Sequence, residues 1–210
     1  MSTVAIIGAS HGIGLETLRL ALKQGHKVRA LARSADSIAI DHPNLEKIKG
    51  SALDRTDVDK VVAGADAVIT VLGTPPTLSP VKLFSESART VTQSMTDNGV
   101  DRLIAVTGIG SGDSKGIGGF LYAQLFQPIF LGTIYEDKTR EEAIIRDSGL
   151  AWTIARPGFL TRFPAKGRYR ALTDPEDWEG GFITRGDVAD FLVKQIDGKD
   201  FVHKTPLLID

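Results

Sequence analysis

The run Gly8-Ala9-Ser10-His11-Gly12-Ile13-Gly14 has the residue types and spacing to hold a phosphate group. Glycine removes the Cβ that would block a tight turn or the approach of a phosphate. Where such a run joins a β-strand to an α-helix, exposed backbone N–H groups and the positive helix end receive the pyrophosphate of a dinucleotide. About 20 residues past such glycines, an NAD site carries a carboxylate for the ribose 2′-hydroxyl. This chain has Ala32-Arg33-Ser34 there. A guanidinium and a hydroxyl suit a 2′-phosphate, which a carboxylate would repel. The cofactor expected is therefore NADP(H), with Gly8, Ser10, His11, Gly12, Ile13, Gly14, Arg33 and Ser34 among its contacts. Asp36 is the one nearby residue that weighs the other way.

The elements that must position these residues are legible as short β-branched runs alternating with amphipathic ones, the rhythm of βαβ units on a parallel sheet. Strands are predicted at 4–7, 28–32, 45–49, 67–71, 103–107 and 152–155, with 207–209 as a final one. Ile13, Thr17, Leu18, Ala21 and Leu22 make one helical face that ends at Gly25, where glycine can take the left-handed conformation. Ser79 and Pro80 read as the N-cap and first position of a helix running to Asn98 and Gly99. Further helices are predicted from Glu136 to Asp147 and from Thr184 to Ile196. The fold class is thus α/β, a doubly wound parallel sheet in a single domain over 1–210.

The totals narrow the function classes. The chain has 210 residues, 42% hydrophobic and 24% charged, and a formal net charge of -1. That balance is ordinary for a globular protein and implies no nucleic-acid partner. No cysteine is present, which excludes disulfides and thiolate metal sites. His11, His26, His42 and His203 show no metal-ligand spacing, so no metal is expected. The start MSTVAIIG enters an apolar strand without a basic segment, so a secretory signal is not expected and a cytoplasmic location is. The apolar stretch from Phe120 to Tyr135 is broken by Gln124, Gln127 and Pro128, too short for a bilayer span, so no membrane partner is expected. The partner anticipated is a small-molecule substrate, for a monomer or homodimer.

Further segments carry a family resemblance. They are Lys49-Gly50-Ser51-Ala52-Leu53-Asp54, Val71-Leu72-Gly73-Thr74, Val106-Thr107-Gly108-Ile109-Gly110, and Ser148-Gly149-Leu150 leading to Trp152-Thr153-Ile154-Ala155-Arg156-Pro157-Gly158. With the glycine loop and Arg33, they make the chain resemble the atypical short-chain dehydrogenase/reductase family. The branch is the NAD(P)H-binding one similar to biliverdin reductase B/flavin reductase and bacterial epimerase/dehydratase-like proteins. The resemblance implies that Ser51 and Ala52 border the adenine and that Leu72 and Gly73 line the adenosine and diphosphate path. It also implies that Thr107, Gly108, Pro157 and Gly158 lie near the nicotinamide. The family often has aspartate where this chain has Ser51.

The chemistry departs from the usual pattern of that family, a tyrosine and a lysine four positions apart in which the lysine lowers the phenol pKa. Here Tyr135 is followed by Lys138 at a spacing of three and Thr139 at four. Spacing three still shares a helix face. Lys138 is read as a contact to the nicotinamide ribose, and the catalytic candidates are Lys138, Tyr135 and Thr107. Phe159 stands where the biliverdin reductase branch has a histidine. Hydride transfer to a flavin or quinone tolerates these losses, because the acceptor can be protonated from water. The glycine-rich segment 107–119 reads as a flexible lid. Phe120, Tyr122, Phe126 and Phe130 read as core or interface. The segment near 159–182, with Arg162, Arg168, Tyr169, Arg170 and Trp178, reads as a substrate-side insert. The function expected is an NADPH-dependent reductase of a conjugated acceptor; the alternatives are a non-catalytic NADP(H) sensor and a sugar-nucleotide epimerase or dehydratase.

Overall fold

The computed structural model describes residues 1–114, 117 and 132–210. In chain order the elements begin β1 (Thr3–Ile7), α1 (Gly12–Lys23), β2 (Lys27–Ala32), β3 (Leu45–Lys49), α2 (Arg55–Val62), β4 (Ala67–Thr70), α3 (Leu83–Asp97) and β5 (Arg102–Val106). They continue with α4 (Gly132–Arg146), β6 (Ala151–Pro157), β7 (Phe159–Thr161), β8 (Arg170–Leu172), β9 (Phe182–Thr184), α5 (Arg185–Lys194) and β10 (Leu207–Ile209).

The main sheet has the order β3-β2-β1-β4-β5-β6-β10-β8, parallel except where β8 runs antiparallel to β10 at the edge. The chain winds outward from β1 through β2 and β3, then crosses back to β4. That reversal opens a crevice at the carboxyl ends of β1 and β4, the place where doubly wound sheets take ligands. Both faces of the central sheet are covered, so β1, β4 and β5 are mostly apolar and buried, whereas the edge strand β3 carries exposed charged residues. In β1, Val4 and Ile6 pack with Leu18 of α1 and Phe191 and Leu192 of α5. Ala5 and Ile7 pack on the other side with Val58, Val91 and Met95 of α2 and α3.

Helix α1 ends at Gly25 as its sequence suggests. Gly25, at φ +84°, donates its N–H to Leu22 O, and His26 N–H reaches Ala21 O, a left-handed cap that satisfies the last carbonyls. Helix α3 does not begin at Ser79 and Pro80. It starts at Leu83, because its free N–H groups are capped from another helix: Asp137 of α4 accepts from Phe84 N at 2.8 Å and Ser85 N at 3.3 Å. Helix α2 and the small parallel sheet of β7 and β9 were not read from the sequence.

The segment 107–114 is a packed turn rather than a free lid. Ile109 N–H donates to Pro157 O, Gly110 N–H to the Ser114 hydroxyl, and Gly112 N–H to the Thr139 hydroxyl. Of the rest of the lid expectation only Ile117 is described, its N–H donating to Ser114 O; the remainder, with Phe120, Tyr122, Phe126 and Phe130, lies outside the described residues.

Candidate functional site

The glycine loop leaves β1 and enters α1, and its three glycines serve different ends. A Cβ on Gly8 would sit 2.3 Å from the backbone oxygen of Val71, and one on Gly14 would sit 2.2 Å from the backbone oxygen of Gly8. These two let strand, loop and helix touch. Gly12 has no protein atom within 4 Å of its side-chain position and takes φ +57°. Its missing side chain leaves room for something other than protein. At α1 the N-cap His11 makes no side-chain cap, and no acidic residue lies in the first turn. The N–H groups at this end therefore face outward with their partial positive charge unused, as an anion requires.

A cleft of about 970 Å³ opens in front of them. Its wall includes Gly8, Ser10, His11, Gly12 and Ile13 from the loop, Arg33 and Ser34 after β2, Ser51, Ala52 and Leu53 after β3, and Leu72 and Gly73 after β4. The Ser34 hydroxyl donates to Ser10 Oγ at 3.0 Å, and Ser10 Oγ lies 2.8 Å from His11 Nδ1, so the loop and the end of β2 are tied together. Arg33, Arg162 and Arg185 all line the cleft, and among the described residues no aspartate or glutamate does. Asp36 is turned to Lys49, 2.9 Å away, and is not part of the wall. The residues present fit a dinucleotide: a glycine cradle, an uncapped helix end and cationic walls of sufficient volume.

Gly14 lies beneath the loop, and Thr107, Gly108, Lys138, Pro157 and Gly158 are not on the cleft wall. Gly158 permits a close chain approach, since a Cβ there would meet Gly181 O at 2.4 Å. Tyr135 borders Gly108, its hydroxyl 3.6 Å from the Gly108 side-chain position.

Thr107 belongs to a buried network whose other main members, Glu142 and Arg156, were not singled out from the sequence. Thr107 Oγ1 donates to Glu142 Oε1 at 2.8 Å, and Ser111 Oγ donates to the same oxygen at 2.7 Å. Arg156, on β6, grips Glu142 with Nε at 3.0 Å and Nη2 at 2.6 Å, a two-point pair with both side chains fully buried. Burial pushes the Glu142 carboxyl up, but the Arg156 hydrogen bond and charge, with Ser111 and Thr107, hold it below the usual carboxylate range. Asp113 reaches the same guanidinium at 2.6 Å, and Trp178 covers it with its ring centre 5.2 Å away. The signal in the sequence was a charged residue near the end of an apolar strand.

Lys138 is also buried. Its Nζ donates to Val106 O at 3.2 Å, lies 4.1 Å from the Phe84 ring centre and is 3.9 Å from Glu141. No hydrogen bond joins Lys138 to Glu141, and burial outweighs their attraction. The Lys138 ammonium is pushed down, and the Glu141 carboxyl is pushed up to about 8.

A glycine loop at the switch point of a doubly wound parallel sheet, opening on a cationic cleft, defines a dinucleotide-binding Rossmann protein. The chain matches the family described as NAD(P)H-binding over residues 8–199, and it belongs to that family. It is 26% identical over 206 residues to YhfK of Bacillus subtilis (strain 168), described as an uncharacterized sugar epimerase, covering 94% of this chain and 89% of the relative. ChuY of Escherichia coli O157:H7, described as an anaerobillin reductase, superposes with a TM-score of 0.83 at 25% identity, covering 99% of this chain and 97% of that one. A short-chain dehydrogenase/reductase from Veillonella parvula DSM 2008 in complex with NADP has the same fold, with a TM-score of 0.85 at 15% identity over 100% of this chain and 94% of that one. Among the described residues no helix is long and apolar enough to cross a membrane, and no cluster of potential metal ligands is present.

Proposed function

We propose that this chain is a cytoplasmic NADPH-dependent reductase that passes a hydride to a flat, conjugated acceptor such as a flavin or quinone. The observation that carries the reading is the charge of the cleft wall among the described residues: three arginines, no carboxylate, and Arg33 with Ser34 where an NAD site needs an acid. When bound, the nicotinamide supplies the hydride. The backbone N–H groups of Gly12, Ile13 and Gly14 hold the diphosphate, Arg33 and Ser34 take the 2′-phosphate, and Ser51 and Ala52 border the adenine. Leu72 and Gly73 line the path between.

The hydroxyl proton of Thr107 is engaged by Glu142, and Lys138 is held among Val106, Phe84 and Glu141. An acceptor that water can protonate tolerates both arrangements; a sugar substrate needs a side chain to move its proton. The likeness to ChuY supports the reductase over the epimerase that the Bacillus relative's description suggests. The same withdrawal of Thr107 and Lys138 favours one second reading, an NADP(H) sensor without turnover.

Oxidation of NADPH and NADH, followed by the absorbance of the reduced nicotinamide with FMN, a quinone and a dye as acceptors, tests the proposal. We expect acceptor-dependent oxidation that prefers NADPH. Arg33→Ala should weaken NADPH binding about ten- to a hundredfold, the scale of a lost charged hydrogen bond, and leave NADH unchanged. Tight NADPH binding with no turnover would establish the sensor, and equal use of both nucleotides would overturn the cofactor choice.

A further inference from the structure

We propose that the loop leaving β7, residues 162–168, docks this protein on an anionic lipid surface, with Phe163 entering the headgroup boundary and the cations around it meeting the lipid phosphates. The loop reads Arg-Phe-Pro-Ala-Lys-Gly-Arg, three cations and no acid in seven residues. All seven are exposed. Phe163 is 73% exposed, and Phe182, on the strand that pairs with β7, is 63% exposed. Large apolar groups left in water along one stretch of chain mark an interaction site. The loop is held in place by the body of the protein. The N–H groups of Lys166 and Gly167 donate to the buried Asp187 carboxylate at 3.0 and 2.8 Å, and Ala165 lies so close to the start of α5 that a Cβ on Gly186 would meet its Cβ at 2.8 Å. The aromatic ring and the charges are therefore presented on a fixed backbone, with little ordering left to lose on docking.

The surroundings leave this face positive. Ala165 and Gly167 line a cavity of about 290 Å³ together with Leu20 and Lys23 of α1 and Ala189 of α5. The carboxylates on its wall are taken within the protein: Glu16 by Arg19 at 3.1 Å, Asp190 by Lys194 at 2.6 Å, and Asp187 by the Thr184 hydroxyl and the loop backbone. Among the described residues Lys23, Arg162 and Arg168 have no carboxylate within ion-pair distance, whereas Arg19, Lys166, Arg170 and Lys194 do. An aromatic tip with unpaired cations beside an apolar hollow is the pattern of an interfacial anchor, in which the ring reaches the edge of the acyl region while the cations stay with the phosphates. These cations come from two segments without regular spacing, and a fluid anionic surface meets them without matching geometry. Among the described residues no helix is long and apolar enough to cross a membrane, so the contact is peripheral. Leu160 and Arg162 also line the cleft, so the loop sets out from the cleft wall. Docking then brings that wall to a bilayer and selects a quinone dissolved in the lipid as the acceptor, a step that rests on the reductase reading above.

Co-sedimentation with extruded vesicles tests the docking and needs no turnover. We expect the protein to bind phosphatidylcholine vesicles that contain phosphatidylglycerol about a hundredfold more tightly than phosphatidylcholine alone, and less tightly as salt rises. Phe163→Ser should weaken that binding about tenfold and Arg168→Gln about fivefold, both with Tm and the Kd for NADPH unchanged. Arg89→Gln, at an exposed arginine of α3 on the other side of the sheet, should leave it intact. No binding to either vesicle, or binding that ignores both Phe163 and phosphatidylglycerol, would overturn the proposal. So would light scattering that shows a dimer of the unaltered protein broken by Phe163→Ser, which would assign the loop to a second copy of the chain. With a quinone dissolved in the vesicles, NADPH oxidation should rise with phosphatidylglycerol and fall in Phe163→Ser, while a water-soluble dye shows neither change. If no acceptor turns over, the reductase reading fails and co-sedimentation still decides the docking. If a vesicle-borne quinone is reduced equally by the unaltered protein and Phe163→Ser, the reductase reading stands and the docking falls.

Discussion

The two ends of the sheet's carboxyl edge use charge in opposite ways. At the end of β2 and just past β7 and β9, Arg33, Arg162 and Arg185 line a cleft with no carboxylate on its wall among the described residues. At the junction of β5, α4 and β6, buried Arg156, Glu142, Thr107 and Ser111 pair with one another, and Asp113 reaches the Arg156 guanidinium from the surface. A charge left unpaired at a surface is available to a ligand, whereas a buried charge must be matched by the protein itself. The first region is therefore read as recognition. The second is scaffolding that fixes the turn from Thr107 to Ser114 beside the site.

The sharpest way to break that contrast is Glu142→Ala. It leaves the buried Arg156 guanidinium without its two-point partner, a loss of about 3–5 kcal/mol, and should lower Tm by about 10 °C or more in thermal unfolding. Replacing the pair together, Glu142→Gln with Arg156→Met, should restore part of that loss because no charge is then left stranded. A Tm unchanged by Glu142→Ala would show that the network is not scaffolding.

Gly12→Ala probes the other region. A side chain at φ +57° costs about 1–2 kcal/mol of stability, and no protein atom opposes the added methyl group. The fall in NADPH affinity, measured by titration, should exceed what that small strain explains, because the methyl group occupies the phosphate's path. Equal losses in stability and binding would make Gly12 a structural turn and nothing more.

A pH-dependent test concerns Glu141, whose burial raises its carboxyl to about 8. The folded state then holds a proton that the unfolded state has released, so this group's contribution to stability is complete below the ordinary carboxylate range and is lost as pH rises through about 8. Glu141→Gln keeps the side chain neutral at every pH. Its Tm between pH 5 and 8 should fall less with pH than that of the unaltered chain. The lowered Lys138 ammonium acts in the opposite sense, and losing the Glu141 charge should lower it further. Parallel Tm curves for the two proteins would refute the assignment.

The difference between the regions also explains what could be read in advance. The glycine loop, Arg33 and Ser34 lie within one βαβ unit, and their positions follow from a strand, a turn and a helix in sequence. The left-handed end of α1 at Gly25 was legible for the same reason. The start of α3 was not, because Ser79 and Pro80 offer a local cap while Asp137, 53 positions from Phe84, supplies the one used. The segment 107–119 has the composition of a flexible loop, yet its first eight residues are pinned by partners on β6 and α4.

By itself the sequence determined the doubly wound sheet, the cradle at residues 8–14 and the cationic end of β2. These rest on periodicity, glycine's missing Cβ and short-range order. Only the tertiary structure decided that Thr107 serves Glu142, that Lys138 lies buried beside Glu141, and that Arg162 and Arg185 line the same cleft as Arg33. Each depends on segments distant along the chain being brought within a few ångströms, where burial and pairing set what a charged side chain can do.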